Sequence, residues 1–123
     1  MDLPSMVAAW RAAWQSLDPD RVAALYASGA THMSNAVVKR MNRPDGILTG
    51  PAEIRAYAAA VAKQIGSFRA DITNVIANEE TDGGSAAVEY RRIIDGNERQ
   101  QMRVVEILEW RDGKITACRV FHF

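Results

Sequence analysis

The chain has 123 residues, 48% of them hydrophobic, which is enough for one domain with a substantial core. Fifteen Lys and Arg balance fifteen Asp and Glu with no block of like charge, so neither a nucleic-acid nor a membrane partner is expected. The single cysteine, Cys118, excludes an internal disulfide and makes a reducing cytoplasm the default compartment. The opening MDLPSMVAAWRAAW lacks a basic start and carries Arg11 within its apolar part, so it does not read as a signal peptide.

Ser5 is a candidate N-cap for a first helix reaching about residue 16, with Val7, Trp10 and Trp14 on one face and Arg11 and Gln15 turned away. Asp18-Pro19-Asp20 starts a second helix, Asp18 as its cap and Pro19 in its first position. That helix is expected to carry Val22, Leu25 and Tyr26 and to end near Ser28-Gly29. Residues 30–38 read as extended, and residues 39–50 as a polar loop holding the basic cluster Lys39, Arg40 and Arg43. Gly50-Pro51 opens the longest helix, with Ile54, Tyr57, Ala58, Val61 and Ile65 on its buried face. From Phe68 to Ala77 apolar and polar residues alternate, as in a half-buried strand. Asp82-Gly83-Gly84 then turns into three strands over residues 85–123, separated by Asp95-Gly96-Asn97 and Arg111-Asp112-Gly113, both strong hairpin sequences. Helices early and strands late make an α+β layout in one domain covering residues 1–123.

Three segments in this order, AAWQSLDPDRVAALYASGATH, LTGPAEIRAYAAAV and VVEILEWRDGKITACRVFHF, resemble the nuclear-transport-factor-two-like superfamily, in its SnoaL-like polyketide-cyclase and ketosteroid-isomerase-like branch. The resemblance spans nearly the whole chain. It implies a cone-shaped, curved, antiparallel or mixed β-sheet wrapped around the long helix, with N-terminal helices, enclosing a cavity. It also implies a homodimer through the outer sheet face and assigns which strand positions look inward. These are His32 and Ser34; Val88, Tyr90, Arg92 and Ile94; Val104, Glu106, Leu108 and Trp110; and Thr116, Cys118, Val120 and His122. Trp10, Trp14 and Tyr57 look in from the helices. By the same resemblance the isomerase's catalytic aspartate falls at Ser34 and its oxyanion tyrosine at Trp10, and only its second oxyanion acid has a counterpart, Glu106. The family's epoxide-hydrolase positions carry Tyr90, Arg92 and Val120. Neither steroid isomerisation nor epoxide opening is therefore expected. The superfamily holds enzymes, carriers and structural modules, so function rests on the site.

Glu106 interrupts the apolar series Val104, Leu108, Trp110. Burial would raise its pKa and suit it to general acid–base work; alternatively it pairs with Arg92 or lies in solvent on a shifted strand. His32 and His122, the two histidines, can complete an acid–base set with it, imitate a two-His-one-carboxylate metal site, or be ordinary core and terminal residues. No His-x-His spacing supports the metal, and no cofactor is implied. Trp10, Trp14, Tyr57, Tyr90, Leu108, Trp110, Cys118 and Val120 form a wall for a small apolar or partly oxygenated molecule, or plain core. Arg92 either binds a ligand anion or extends to the rim. Ser34 either bonds the ligand or ends a strand. The basic cluster is an anion gate or a solvated loop. Three functions follow: a lyase, isomerase or cyclase with Glu106, His122 and His32 as acid–base groups; a non-catalytic small-ligand carrier; or a dimerisation module using an outer face of Glu89, Arg91, Ile93, Arg103, Val105 and Ile107.

Overall fold

The computed structural model describes residues 2–123. Helices α1 (Ser5–Ser16), α2 (Pro19–Ala23), α3 (Asn35–Met41) and α4 (Gly50–Gln64) pack against a six-stranded sheet. Its strands are β1 (Tyr26–Met33), β2 (Ile47–Thr49), β3 (Phe68–Glu79), β4 (Gly83–Ile94), β5 (Met102–Arg111) and β6 (Lys114–His122), in the order β2-β1-β6-β5-β4-β3. Every neighbouring pair is antiparallel except β1 and β6, so the first and last strands meet side by side in parallel. No helix is long and apolar enough to cross a membrane among the described residues.

Two helix starts follow the local chemistry, whereas α1 begins at Ser5 itself, with Pro4 as its N-cap and no side-chain cap, rather than being capped by Ser5. Asp18 accepts the backbone N–H groups of Asp20 and Arg21 ahead of Pro19, as its sequence requires. The long helix begins where Gly50-Pro51 predicts and buries Ile54, Tyr57, Ala58 and Val61, while Ile65 already leaves it as an extended C-cap. Asp112 and Gly113, at φ 50° and 75°, form the two-residue turn joining β5 and β6. The β4–β5 connection is longer than the short turn expected. Asp95 turns out of the strand, its side chain accepts from Gly66 and Ser67 N–H, and a 3-10 turn (Glu98–Gln100) follows.

Three segments differ from the sequence reading. The second helix stops at Ala23 and Tyr26 is already strand, because the sheet captures the chain there: Leu25 C=O accepts from Ile115 N–H at 2.7 Å, and Ala24 C=O from Lys114 Nζ at 2.6 Å. Residues 35–41 are helical rather than extended or loop, with Ser34 as the N-cap accepting from Ala36 N–H and Val37 buried beneath. Residues 47–49 form a strand, with Leu48 fully buried opposite His32.

At the far end of β4, Gly84 lies directly under the Trp110 ring. A Cβ there would stand 2.6 Å from Trp110 Cζ2 and 2.7 Å from Asn78 O. Gly84→Ala is expected to cost about 1–3 kcal/mol through overpacking. A lower urea midpoint with an unchanged slope would show it; an unshifted midpoint would mean the ring moves freely aside.

Candidate functional site

Residues i and i+2 of a strand share a face. The paired registers therefore set rows across the inner face of the sheet: Val88–Glu106–Val120, then Tyr90–Val104–His122, then Arg92–Met102. A pocket of about 70 Å³ opens over these rows, between the sheet and the helices. Trp10 and Trp14 of α1, Ala36 and Arg40 of α3, and Tyr57 and Val61 of α4 cover it. His32, Ser34, Tyr90, Arg92, Glu106, Val120 and His122 line the other side. Its volume is well below the ~300 Å³ typical at the small end of ligand clefts, so it suits one ring or a short chain rather than a fused-ring skeleton.

Glu106 is 4% exposed. Its Oε2 accepts from Trp10 Nε1–H at 2.8 Å and from the Cys118 thiol at 3.0 Å, and its Oε1 accepts from the Tyr90 hydroxyl at 2.8 Å. Burial raises its pKa, and the three donors pull it back in part. The carboxylate does not pair with Arg92. Arg92 lies across from Met102, four positions along β4 from Val88, the partner of Glu106, and the nearer Tyr90 takes the contact. The phenol and thiol are in turn pushed well above their ordinary values, by burial first and then by the Glu106 charge. Cys118 is thus a buried donor and an inert thiol.

His32 is 2% exposed and boxed by Trp14, Tyr26 and Tyr57, with ring centroids 6.1, 6.3 and 5.6 Å away. Burial lowers its pKa to about 4, so the imidazole is neutral at ordinary pH, and its Nδ1 has no hydrogen-bond partner among the described residues. His122 is half-buried at the pocket edge. Burial lowers its pKa, helped by the charges of Arg92 and Lys39. Among the described residues no three His, Cys, Asp or Glu side chains come together as a metal-ligand set.

Several residues expected on the wall stand elsewhere. Leu108 and Trp110 continue the Glu106 face, but toward the end of the sheet away from the pocket; Leu108 is fully buried core and Trp110 covers Gly84. Cys118 does not line the pocket; it lies beside His32 across the β1–β6 pair and donates to Glu106. Thr116 turns outward. The β5–β6 register shifts at Glu109–Trp110, Ile115 takes the buried position, and the Thr116 hydroxyl donates to Glu109 C=O. Ile93, expected on the outer face, is 2% exposed and unavailable for association. Of the basic cluster, Arg40 lies on α3 rather than in a loop and lines the pocket, whereas Arg43 pairs with Glu53 on the surface. Tyr26, expected only as a residue of the second helix, is buried beside His32 and takes the Trp14 indole N–H at 3.4 Å.

No curated protein matches the chain. Solved structures that match it share its fold at low identity. A protein of ketosteroid-isomerase-like fold from Catenulispora acidiphila, in complex with trimethylamine, is 23% identical, with 98% of this chain and 86% of that one covered and a TM-score of 0.72. A SnoaL-like protein of unknown function from Burkholderia thailandensis is 21% identical, with 94% and 89% covered and a TM-score of 0.76. A candidate polyketide cyclase from Sinorhizobium meliloti is 18% identical, with 98% and 97% covered and a TM-score of 0.72. Residues 7–118 match the SnoaL-like domain itself. The strand order, the pocket under the N-terminal helices and this match over most of the chain agree: the chain belongs to the SnoaL-like family, within the NTF2-like superfamily.

Proposed function

We propose that the chain takes a small, flat, partly oxygenated molecule into this pocket and moves a proton on it, with Glu106 as the acid–base group. One observation carries the reading: a buried carboxylate on a pocket wall with one acceptor position unspent. A carboxylate oxygen offers about two such positions. Oε2 uses both, on Trp10 and Cys118; Oε1 uses one, on Tyr90. The remaining Oε1 position is where a ligand C–H or O–H is met. Desolvation makes the carboxylate a stronger base than one in water.

Removing a proton from a carbon beside a carbonyl leaves Glu106 neutral and moves the negative charge to the ligand oxygen. The neutral His32 ring lines the same pocket and can receive that charge by hydrogen bonding. Return of the proton to another carbon is isomerisation. Departure of a β-hydroxyl with that proton is elimination of water. Attack of the carbanion on a second carbonyl is ring closure, the new alkoxide taking the proton back. All three share the first step, and the ketosteroid-isomerase-like and cyclase-type relatives favour this class.

The test is deuterium uptake from D2O into the methyl group of acetophenone and the ring of 2-cyclohexenone, followed by NMR. Wild-type protein is expected to speed exchange, and Glu106→Gln to slow it by about a hundredfold with binding retained. Binding without exchange in the wild type would favour the second reading, a carrier. The aromatic box around the uncharged His32 supports that alternative, and trimethylamine is the natural control ligand for it.

A further inference from the structure

The pocket mouth carries positive charge that the protein does not neutralise. Arg92 of β4, Arg40 of α3 and His122 of β6 line it together. Among the described residues neither arginine forms an ion pair. Arg40 gives its Nε–H to a neutral acceptor, Gln64 Oε1, at 2.8 Å, and the Arg92 Nε is buried with no acceptor at all. Glu106 is the one carboxylate on the pocket lining, and its oxygens are turned to Trp10, Tyr90 and Cys118. His122, held neutral by burial and by Arg92 and Lys39 nearby, is a hydrogen-bonding ring rather than a third cation.

A buried guanidinium N–H without a partner is costly and uncommon in a folded protein. The cost disappears when a ligand brings the acceptor. A planar guanidinium is matched best by a carboxylate, which takes two parallel N–H bonds. We propose that the ligand of this pocket is a small carboxylate, its anionic end on Arg92 with Arg40 and His122 beside it, and its uncharged end against Trp10, Trp14 and Tyr57. This rests on the reading that the pocket takes a small molecule. The Glu106 row and the Arg92 row are four residues apart on β4, roughly 14 Å of strand before the side chains reach inward. The carboxylate and the carbon that meets Glu106 are therefore separated by a ring or short chain.

The probes are 4-acetylbenzoate and its uncharged twin 4-acetylbenzamide, titrated against protein carrying 15N-labelled tryptophan. Trp10 and Trp14 line the pocket and Trp110 does not, so the third indole signal is an internal control. The carboxylate is expected to shift the first two indole signals, leave the third, and bind about tenfold tighter than the amide. Arg92→Gln is expected to erase that preference and Arg92→Lys to restore part of it. Arg40→Gln should weaken it less, since the Arg40 Nε–H is already engaged by Gln64. Equal binding of the two probes to wild-type protein, a comparison that needs no variant, would overturn the anion subsite and leave the pocket standing. A preference that survives Arg92→Gln would do the same. If neither probe moves the Trp10 and Trp14 signals, the pocket reading falls and the subsite with it.

Discussion

Glu106→Ala is expected to cost the fold on the order of 3–5 kcal/mol, through a cavity plus stranded buried donors, whereas Glu106→Gln is expected to be at least as stable as the wild type near neutral pH. The difference lies in who accepts the hydrogen bonds. Alanine leaves the Trp10 indole, the Tyr90 hydroxyl and the Cys118 thiol facing an empty space. Glutamine keeps one carbonyl oxygen for Trp10 and Cys118, and its amide can donate to a reoriented Tyr90 hydroxyl. That is the pattern a protonated Glu106 would make.

The pH dependence has a definite sign. Burial raises the folded pKa of Glu106 above the ordinary carboxyl value of 4.5. Its contribution is fully present below that value and is lost as pH rises through the raised folded pKa. Glutamine does not titrate. The stability advantage of Glu106→Gln over wild type should therefore grow with pH in that window, read from urea midpoints at several pH values. An advantage that does not change with pH would mean the carboxylate is solvated after all.

His32 makes the second large effect, with the opposite sign. Its pKa falls from 6.5 to about 4 on burial, so the folded state binds fewer protons than the unfolded one. The stability it contributes is present above 6.5 and is lost as pH falls through about 4. A shift of this size corresponds to about 3 kcal/mol. His32→Phe keeps a ring among Trp14, Tyr26 and Tyr57 and removes both the titration and the unpartnered Nδ1. Wild type is expected to lose about 3 kcal/mol more than this variant between neutral pH and about pH 4. Equal losses in urea titrations of the two proteins would show that His32 protonates without opening the fold.

Much of this site was legible because strand parity is a hard constraint once the family resemblance says which side looks inward. Val88, Tyr90, Val104 and Glu106 alternate inward as the two-residue period requires, and no irregularity intervenes between them. Parity failed at Thr116, where a bulge breaks the strict alternation carried back from Cys118 and Val120. Helix α3 was hidden by Val37-Val38, a β-branched pair that reads as extended. The signal that would have revealed it is Ser34 as cap followed by Val37 and Met41 at helical spacing, both packed inward. The end of α2 could not be read locally, since β6 residues nearly a hundred positions away set it. The same holds for the partners of Glu106. Each donor was placed on the inward face, but their convergence on one carboxylate, in preference to Arg92, depends on register between strands.

That convergence also dictates how the molecule is put together. The donors to Glu106 lie 12, 16 and 96 positions away in sequence. The two nearer ones come with hairpins, which close in about 1–10 μs. The third needs a helix from the start of the chain to dock on a strand near its end, a closure whose entropy is compensated late. In the folded protein α1 covers Glu106: Trp10 donates to the carboxyl and helps shut it from water, and burial holds its pKa above the ordinary value. The helix that travels furthest along the chain is therefore also the one that completes the dry setting of Glu106.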